Sequence, residues 1–228
     1  MNYELILFDA DGTLLDYEKS EQVALENTFL KFNLQFLPSY LLYYNEINQQ
    51  FWKDLENNLT TVERLKIERF EKLIEKIGIK VSAADFARDY LYFLSKTQFF
   101  LPNTEIILEK LSKKYKLAII TNGLSIVQRG RFNNSIISDY IKDFIISEEI
   151  GFSKPNKEIF TFTLDKLSHN DKKTTLIVGD SLTSDIKGGF DFGIDTCWFN
   201  PLSKKNSTNI KPTYEIKDIL ELEQILEG

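Results

Sequence analysis

The sequence is poor in the residue types from which many metal centres and catalytic triads are built. Among its 228 residues there is one cysteine, Cys197, so an intrachain disulfide and a zinc cluster of several cysteines are both excluded. There is also one histidine, His169, which argues against imidazole-rich metal centres and most histidine-based triads. Any catalytic or metal-binding site is therefore expected to consist mainly of other side chains.

Long apolar runs and an excess of basic charge are missing as well. The chain has 34 acidic and 28 basic residues and a formal net charge of -6, whereas proteins that hold nucleic acid by its phosphates need basic faces. No apolar stretch approaches the length of a membrane span, and residues 1–4 lack the basic segment that opens a signal peptide. We therefore expect a cytoplasmic protein that binds neither nucleic acid nor membranes. A small phosphorylated substrate remains compatible with the acidic balance, because a metal ion can invert the local charge.

Short, continuous apolar runs predict strands that are buried on both faces. The run 5–8 ends abruptly at Asp9, and similar runs occur later in the chain at 117–120, 176–178, 196–199 and, more weakly, 144–146. Helical patterns lie between these runs. The predicted fold class is therefore α/β, with a doubly wound (Rossmann-like) parallel sheet whose strand carboxyl ends meet at one ligand-binding edge.

Residues 17–98 have a different character, with several amphipathic helical patterns and no convincing strand. Apolar side chains recur there at spacings of three and four, Gly78 is placed to end a helix, and Ser82 is placed to begin the next. We predict a Rossmann-like core made of residues 1–16 and 99–228, with an all-helical domain at 17–98 inserted after the first strand.

Four polar motifs lie in order along the chain, and three of them directly follow predicted strands. The motifs are Asp9-Ala10-Asp11-Gly12-Thr13, Thr121-Asn122-Gly123, Ser153-Lys154-Pro155 and Gly179-Asp180-Ser181-Leu182-Thr183-Ser184-Asp185. Any one of them alone is a weak signal, since Asp-Gly pairs are common in turns. Their order and their positions at strand ends predict one shared site.

The shared site would collect the four carboxylates of Asp9, Asp11, Asp180 and Asp185. Two like charges about 4 Å apart repel by roughly 4 kcal/mol at an effective dielectric of 20, so the cluster needs a cation. An all-oxygen site with room for water and phosphate suits Mg²⁺. Lys154 would add a second positive charge, and the residues together predict a site for a phosphoryl group.

These four motifs resemble those of the haloacid dehalogenase-like phosphatases, and the resemblance covers the whole chain. It implies that Asp9 is the nucleophile and forms an aspartyl-phosphate. It implies that Asp11 protonates the leaving oxygen and then activates water. Lys154 would stabilise both the nucleophile and the transferred phosphoryl group. True dehalogenases lack an acid two residues after the nucleophile, so Asp11 favours phosphoryl chemistry.

The same resemblance assigns the phosphate and metal ligands. Thr121 would bind phosphate oxygens together with the loop residues Asn122 and Gly123. Mg²⁺ would be held by Asp9, the backbone carbonyl of Asp11 and Asp180, with Asp185 either a ligand or a partner of the ligands. The helical insertion lies where the family places a cap domain, which closes over the site and selects the substrate.

A closer resemblance is to the YjjG-type pyrimidine 5'-nucleotidases, which dephosphorylate nucleoside monophosphates, including non-standard pyrimidine ones. It rests on the segments 45–52, 120–129, 146–160 and 196–198. Two departures are visible. Asn103 stands where the superfamily usually has glycine, and Asp191-Phe192 fill a helix end that usually carries a small residue before Gly193.

Other functions stay open at this point. A sugar-phosphate or broad small-metabolite phosphatase would use the same residues, as would a phosphomutase, which returns the phosphoryl group to a bound sugar bisphosphate. A non-catalytic binding module is a third alternative, although the intact Asp9, Asp11 and Lys154 argue against it. The expected partner is a small phosphorylated substrate, with a nucleoside monophosphate favoured, and the chain is expected to be a monomer or homodimer.

For several single residues the sequence leaves two interpretations open. Asp185 could be an early helix residue that favours the helix dipole. Tyr44, Phe51 and Trp52 could stack on a base, although aromatic side chains at helical spacing are more often part of the core. Arg131 could be solvated or could lie near phosphate.

Overall fold

The computed structural model describes residues 2–57, 59–133 and 135–227. Within these ranges six strands form one parallel sheet in the order β3-β2-β1-β4-β5-β6. The strands are β1 (Leu5–Phe8), β2 (Lys116–Thr121), β3 (Asp143–Ile146), β4 (Thr175–Gly179), β5 (Asp195–Phe199) and β6 (Tyr214–Ile216). The predicted α/β class with a doubly wound parallel sheet is confirmed.

Helices cover both faces of the sheet. Four of them follow β1: α1 (Tyr17–Lys31), α2 (Pro38–Glu56), α3 (Val62–Ile77) and α4 (Ala83–Leu94). Seven more alternate with the later strands: α5 (Thr104–Leu111), α6 (Ser125–Phe132), α7 (Ile137–Tyr140), α8 (Ser147–Ile150), α9 (Lys157–Lys166), α10 (Lys187–Phe192) and α11 (Leu222–Glu227).

The first strand runs through the centre of the sheet, and each of its four residues is fully buried. Its odd-numbered residues pack in a hydrophobic cluster with Phe160 of α9, and its even-numbered residues pack in another with Leu108 of α5. Successive side chains of a strand point to opposite faces, so a strand covered on both sides has no polar position. This is why the run 5–8 is apolar throughout.

The helices α1 to α4 share a hydrophobic cluster of their own, which extends to Leu124 and Val127 beside the sheet. Aromatic rings fill its centre: the ring centroid of Phe70 is 4.9 Å from that of Tyr90 and 5.5 Å from that of Tyr44. The described residues between 17 and 98 include no strand. The exact division into a core and an inserted domain stays a prediction, and its outermost residues, Met1 and Gly228, lie outside the described ranges.

Helix ends in this region follow the sequence signals. The hydroxyl of Ser82 accepts a hydrogen bond from the backbone N–H of Asp85 at 3.3 Å, and Gly78 ends α3 in the left-handed conformation with φ of 71°. Asn103 also adopts a left-handed φ, of 65°. Asparagine tolerates this conformation better than most side chains, so the position does not require glycine.

The aromatic residues of α2 separate into two groups. Tyr44 is fully buried and Phe51 is 5% exposed, so their interpretation as core residues is confirmed. Trp52 is only partly buried and faces a cavity described below.

Among the described residues, no helix combines the length and the apolar character needed to cross a membrane.

Candidate active site

The sheet topology brings the polar motifs together at the carboxyl edge of its central strands. β1 pairs in parallel with β2 on one side and with β4 on the other, so Asp9, Thr121 and Asp180 leave adjacent strands close to the same level. Lys154 lies between α8 and α9, and its side chain extends to Asp9. Residues far apart in the sequence are thereby collected at one point.

The ammonium group of Lys154 organises the centre of the site. Its Nζ lies 2.5 Å from Asp9 Oδ1 and 2.6 Å from Asp185 Oδ1, and it donates to the carbonyl oxygen of Ile120 at 2.6 Å. Three acceptors match the three N–H bonds of an ammonium group. Burial alone would lower the pKa of Lys154, but Asp185 and Asp9 outweigh it and raise the pKa. The side chain therefore stays a cation inside the protein.

Three carboxylates form an acidic cluster beside this lysine. Asp9, Asp180 and Asp185 each place a carboxylate oxygen within 4.8 Å of the other two. Three negative charges and the one positive charge of Lys154 leave a formal charge of about -2. This is the deficit that a divalent cation would compensate.

The protonation of the cluster supports this view. Burial, the largest cause, and neighbouring carboxylates raise the pKa of Asp9 well above its ordinary value, against the opposing effect of Lys154. Burial and Asp185 likewise raise the pKa of Asp180 to about 7. A bound cation would favour the ionised forms instead. Because the donors are all carboxylate oxygens, the cluster fits a hard cation such as Mg²⁺.

The carboxylate of Asp11 has partners of its own on α6. Gln128 Nε2 donates to Asp11 Oδ2 at 2.7 Å, and Arg131 Nη1 donates to Asp11 Oδ1. Arg131 is fully buried, and its Nη2 also donates to the hydroxyl of Ser20 on α1 at 3.3 Å. The charge of Asp11 is thus balanced by Arg131 rather than by Lys154. The assignment of the Asp11 backbone carbonyl to a metal ion stays a prediction.

These contacts decide between the two interpretations of Arg131 and identify Gln128 as a second partner of Asp11. Arg131 is a buried partner of Asp11, not a solvated surface residue. Gln128 belongs to the segment 120–129 that carries the closer resemblance, but no role was assigned to it from the sequence. The available signal was its spacing of three from Arg131 on the helix that follows Thr121, which places both side chains on the same helical face.

The loop after β2 holds the next group of predicted residues. Thr121 Oγ1 accepts a hydrogen bond from Gln128 Nε2 at 3.1 Å and another from the backbone N–H of Gly123 at 3.3 Å. The side chain of Asn122 makes two 2.8 Å hydrogen bonds to the backbone of Lys154, one as donor and one as acceptor. Through these two hydrogen bonds Asn122 positions Lys154. A Cβ on Gly123 would lie 2.3 Å from Gln128 Nε2, so this close packing requires glycine.

The segment after β4, which includes a short helix at Leu182–Ile186, positions Asp180 and Asp185. Asp185 is 1% exposed, and its Oδ2 accepts a hydrogen bond from the backbone N–H of Ser181 at 3.0 Å. Asp185 lies in the first turn of this helix, and its Oδ1 also contacts Lys154 at 2.6 Å. Gly12 has a φ of 81°, and a Cβ there would lie 2.7 Å from Asp180 Oδ2. The first and fourth motifs therefore touch.

A cavity opens beside these groups and connects them to the helices α1 to α4. Its volume is about 230 Å³. The sheet side contributes the acidic residues together with Thr121 and its loop. The helical side contributes Tyr17, Trp52, Glu56, Arg69 and Leu94. Arg69 was not identified from the sequence, although its spacing of four from Leu65 and from Leu73 places it on the apolar face of α3.

Comparison with known proteins identifies the family to which this chain belongs. Residues 6–199 match the haloacid dehalogenase-like hydrolase family. The pyrimidine 5'-nucleotidase YjjG of Escherichia coli (strain K12) is 32% identical over 226 residues, which cover 99% of each chain. The pyrimidine 5'-nucleotidase PynA of Streptococcus pneumoniae (strain ATCC BAA-255 / R6) is 34% identical over 217 residues, covering 95% of this chain and 92% of PynA.

Structural similarity extends over the full length. The crystal structure of the HAD-hydrolase YfnB from Bacillus subtilis, determined with magnesium bound, matches with a TM-score of 0.94 at 36% sequence identity, and the match covers 100% of both chains. The family match spans most of the sequence, and relatives above 30% identity span nearly all of it. This chain therefore belongs to the haloacid dehalogenase-like hydrolase family of enzymes.

Proposed function

We propose that this hydrolase is a Mg²⁺-dependent phosphatase that works through an aspartyl-phosphate on Asp9. The observation that carries the proposal is the surroundings of Asp9: it contacts the buried Lys154 Nζ at 2.5 Å, shares an acidic cluster with Asp180 and Asp185, and lines the cavity. Its substrates are pyrimidine nucleoside monophosphates, including non-standard ones. The activities named for YjjG and PynA support this substrate class.

In the first step a carboxylate oxygen of Asp9 attacks the phosphorus atom of the substrate. The bond from phosphorus to the ester oxygen breaks, and Asp11, which takes up a proton from solvent before this step, gives that proton to the ester oxygen, so the nucleoside leaves as an alcohol. Lys154 remains charged beside Asp9 and offsets the negative charge of the transferred group. Gln128 and Arg131 hold Asp11 in place for the proton transfer.

In the second step a water molecule attacks the phosphorus atom of the aspartyl-phosphate. Asp11, now ionised, takes a proton from this water, the bond between phosphorus and Asp9 breaks, and inorganic phosphate leaves. The hydroxyl of Thr121 and the loop residues Asn122 and Gly123 bind the phosphoryl oxygens in both steps. Phosphoryl transfer requires little more than such positioning and charge stabilisation.

The metal site of this proposal consists of Asp9, the backbone carbonyl of Asp11, Asp180 and Asp185. When Mg²⁺ is bound there, it supplies charge neutralisation for phosphoryl oxygens that the carboxylates alone would repel. The formal charge of about -2 on the cluster and Lys154 supports a divalent ion.

The helical segment 17–98 serves as the cap in this proposal, and residues 1–16 and 99–228 form the catalytic core. The lining of the cavity supports this division into a core and a cap, because its sheet side carries the acidic cluster while α1 to α4 supply Tyr17, Trp52 and Arg69. A cap in this position excludes water from the site and contacts the part of the substrate that is not transferred.

Phosphate release from a panel of phosphomonoesters tests the substrate class. The panel contains UMP, dUMP and dTMP, the purine nucleotides AMP and GMP, several sugar phosphates and phenyl phosphate, all with Mg²⁺ present. We expect kcat/KM to be highest for the pyrimidine nucleotides. A preference for sugar phosphates would support the broad metabolite phosphatase instead, and a coupled isomerisation assay would reveal a phosphomutase.

A further inference from the structure

Arg69 is an exception on the buried face of α3. The buried residues of this helix are Leu65, Arg69, Phe70 and Leu73, so an arginine occupies a position where the amphipathic pattern calls for an apolar side chain. Arg69 is 1% exposed, and it also lines the cavity that contains Asp9. Arginine is almost never buried unless it is paired, and its position therefore requires an explanation.

The partners of Arg69 leave part of its guanidinium group unused. Nη1 donates to Asn48 Oδ1 at 2.5 Å, and the central carbon lies 4.9 Å from the ring centre of Phe70, 5.4 Å from that of Tyr90 and 5.8 Å from that of Tyr44. Nε is buried and has no hydrogen-bond partner among the described residues. An unpaired buried N–H of this kind costs folding free energy.

No carboxylate of the described residues makes an ion pair with Arg69. The nearest connection runs through Asn48, whose Nδ2 donates to Glu21 Oε1 at 2.8 Å. Burial raises the pKa of Glu21 to about 7, so this carboxyl group is in part neutral near physiological pH. Arg69 therefore has an unpaired Nε donor and no ion-pair partner among the described residues, and it is one of the residues that line the cavity.

The chemistry of the cavity limits what could accept from Arg69. The other charged residues of the lining are acidic: Asp9, Asp11, Glu56, Asp180 and Asp185. With the transferred phosphoryl group placed at Asp9, a second anionic group at the cap wall would face further repulsion from Glu56. A neutral oxygen acceptor on an otherwise flat, apolar group suits this wall better, since Trp52, Leu94, Leu124 and Val127 supply apolar surface.

We propose that Arg69 determines base specificity by donating a hydrogen bond to a ring carbonyl oxygen of the pyrimidine base. This inference rests on the proposed nucleotidase function. Uracil, thymine and cytosine share the carbonyl at ring position 2, whereas adenine has no carbonyl oxygen. A site built to hydrogen-bond a group of the substrate rejects analogues that lack it, because its own buried donor is then left unpaired.

The test compares two substitutions of Arg69 with matched substitutions of Arg64. Arg69→Lys keeps the charge but loses the planar fork of donors, and Arg69→Met removes the charge. Arg64 lies on the same helix, but its side chain is 60% exposed and pairs with Glu68 on the surface. Arg64→Lys and Arg64→Met therefore control for changes in helix propensity and charge, and we expect both to retain the wild-type substrate ratios.

Three substrates separate recognition of the base from the chemistry. We expect kcat/KM for UMP to fall about 10- to 100-fold in both Arg69 variants, the range for a lost hydrogen bond to a charged group. The loss with phenyl phosphate should be much smaller, because it carries no carbonyl oxygen for Arg69 to bind. The preference for UMP over AMP should shrink accordingly, and binding of the product uridine, measured by calorimetry, should weaken in parallel.

The outcomes distinguish this inference from the proposed function. If the wild-type enzyme has no preference for UMP over AMP, the proposed function fails before the variants are considered. If the wild type has the preference and both Arg69 variants keep it, the function stands and Arg69 does not recognise the base. Equal losses with UMP and phenyl phosphate in both variants would also overturn the inference, since Arg69 would then act on folding or on phosphoryl transfer.

Discussion

At the scale of single residues, the site is defined by how each carboxylate is balanced. Asp9 contacts the ammonium group of Lys154, whereas Asp11 is held by Arg131 and Gln128. Separate partners give two neighbouring carboxylates separate roles, one as nucleophile and one as proton carrier. The two roles can be tested one residue at a time.

Replacing the proposed nucleophile should abolish turnover. Asp9→Asn removes the oxygen nucleophile but keeps the size of the side chain, so we expect kcat to fall at least roughly 10³-fold while the circular dichroism spectrum stays that of the wild type. Steady-state phosphate release from UMP measures the loss. Substantial activity in freshly prepared Asp9→Asn protein would contradict a covalent step at this residue.

Replacing the proposed acid should slow turnover in a way that depends on the leaving group. Asp11→Asn keeps one oxygen that can accept from Gln128 or Arg131, but it cannot transfer a proton. We expect kcat for UMP to fall roughly 10²- to 10⁴-fold, and to fall much less for 4-nitrophenyl phosphate, whose leaving group needs no protonation. The comparison is made under single-turnover conditions. An equal loss with both substrates would assign Asp11 a structural role.

At the scale of secondary-structure elements, sequence patterns predicted best the features that follow from the burial of consecutive residues. The strand β1 is apolar at every position because helices cover both faces, and Asp9 interrupts that run where the strand ends. The three-residue edge strand β6 was missed, because one of its residues is exposed and another only partly buried, leaving no continuous apolar run.

The partners of the catalytic residues were harder to predict than the residues themselves. Arg131 and Asp11 are 120 positions apart, and only the tertiary arrangement that brings α6 to the loop after β1 makes them neighbours. Arg69 belongs to a helix whose pattern says nothing about which cavity it faces. Motifs at strand ends are set by topology, whereas contacts from helices depend on the tertiary arrangement that a single sequence does not display.

The packing of α10 on the sheet gives a prediction at this scale. Gly189 lies so close to β4 and β5 that an added Cβ would be 2.6 Å from Ile177 Cγ2 and 2.7 Å from Thr196 Cγ2. We expect Gly189→Ala to lower the free energy of unfolding by about 1–3 kcal/mol, as overpacking does, despite the better helix propensity of alanine. Urea denaturation measures this change.

A control for this substitution lies on the same helix. Phe190 is 63% exposed, so Phe190→Ala should change the midpoint of urea unfolding far less than Gly189→Ala. Equal stability of Gly189→Ala and the wild-type protein would show that α10 can move away from the sheet without cost.

At the scale of the whole molecule, the buried polar groups of the helical segment connect stability to pH. Burial raises the pKa of Glu21 to about 7 from an ordinary value of 4.5. Between these two pH values the folded protein keeps a proton that the unfolded chain has released. The stabilisation is complete below pH 4.5 and is lost as the pH rises through 7, because the unfolding free energy falls where the folded state binds more protons.

Replacing Glu21 with a side chain that does not titrate should make the free energy of unfolding less dependent on pH. We expect Glu21→Gln to become more stable than the wild type as the pH is raised from 4.5 to 8, by roughly 2–4 kcal/mol in the unfolding free energy. Urea unfolding at several pH values measures the difference, with Glu26→Gln on the same helix as the control. A difference that does not change with pH would show that Glu21 is ionised in the folded protein.

The account as a whole depends on a cation that completes the acidic cluster of Asp9, Asp180 and Asp185. Its most direct test is phosphate release from UMP by one enzyme preparation with Mg²⁺, after chelation, and after Mg²⁺ is restored. We predict release only when Mg²⁺ is present, with full recovery when the metal is added back. Undiminished release in the chelator would contradict the metal site, and no release under any of these conditions would contradict the phosphatase itself.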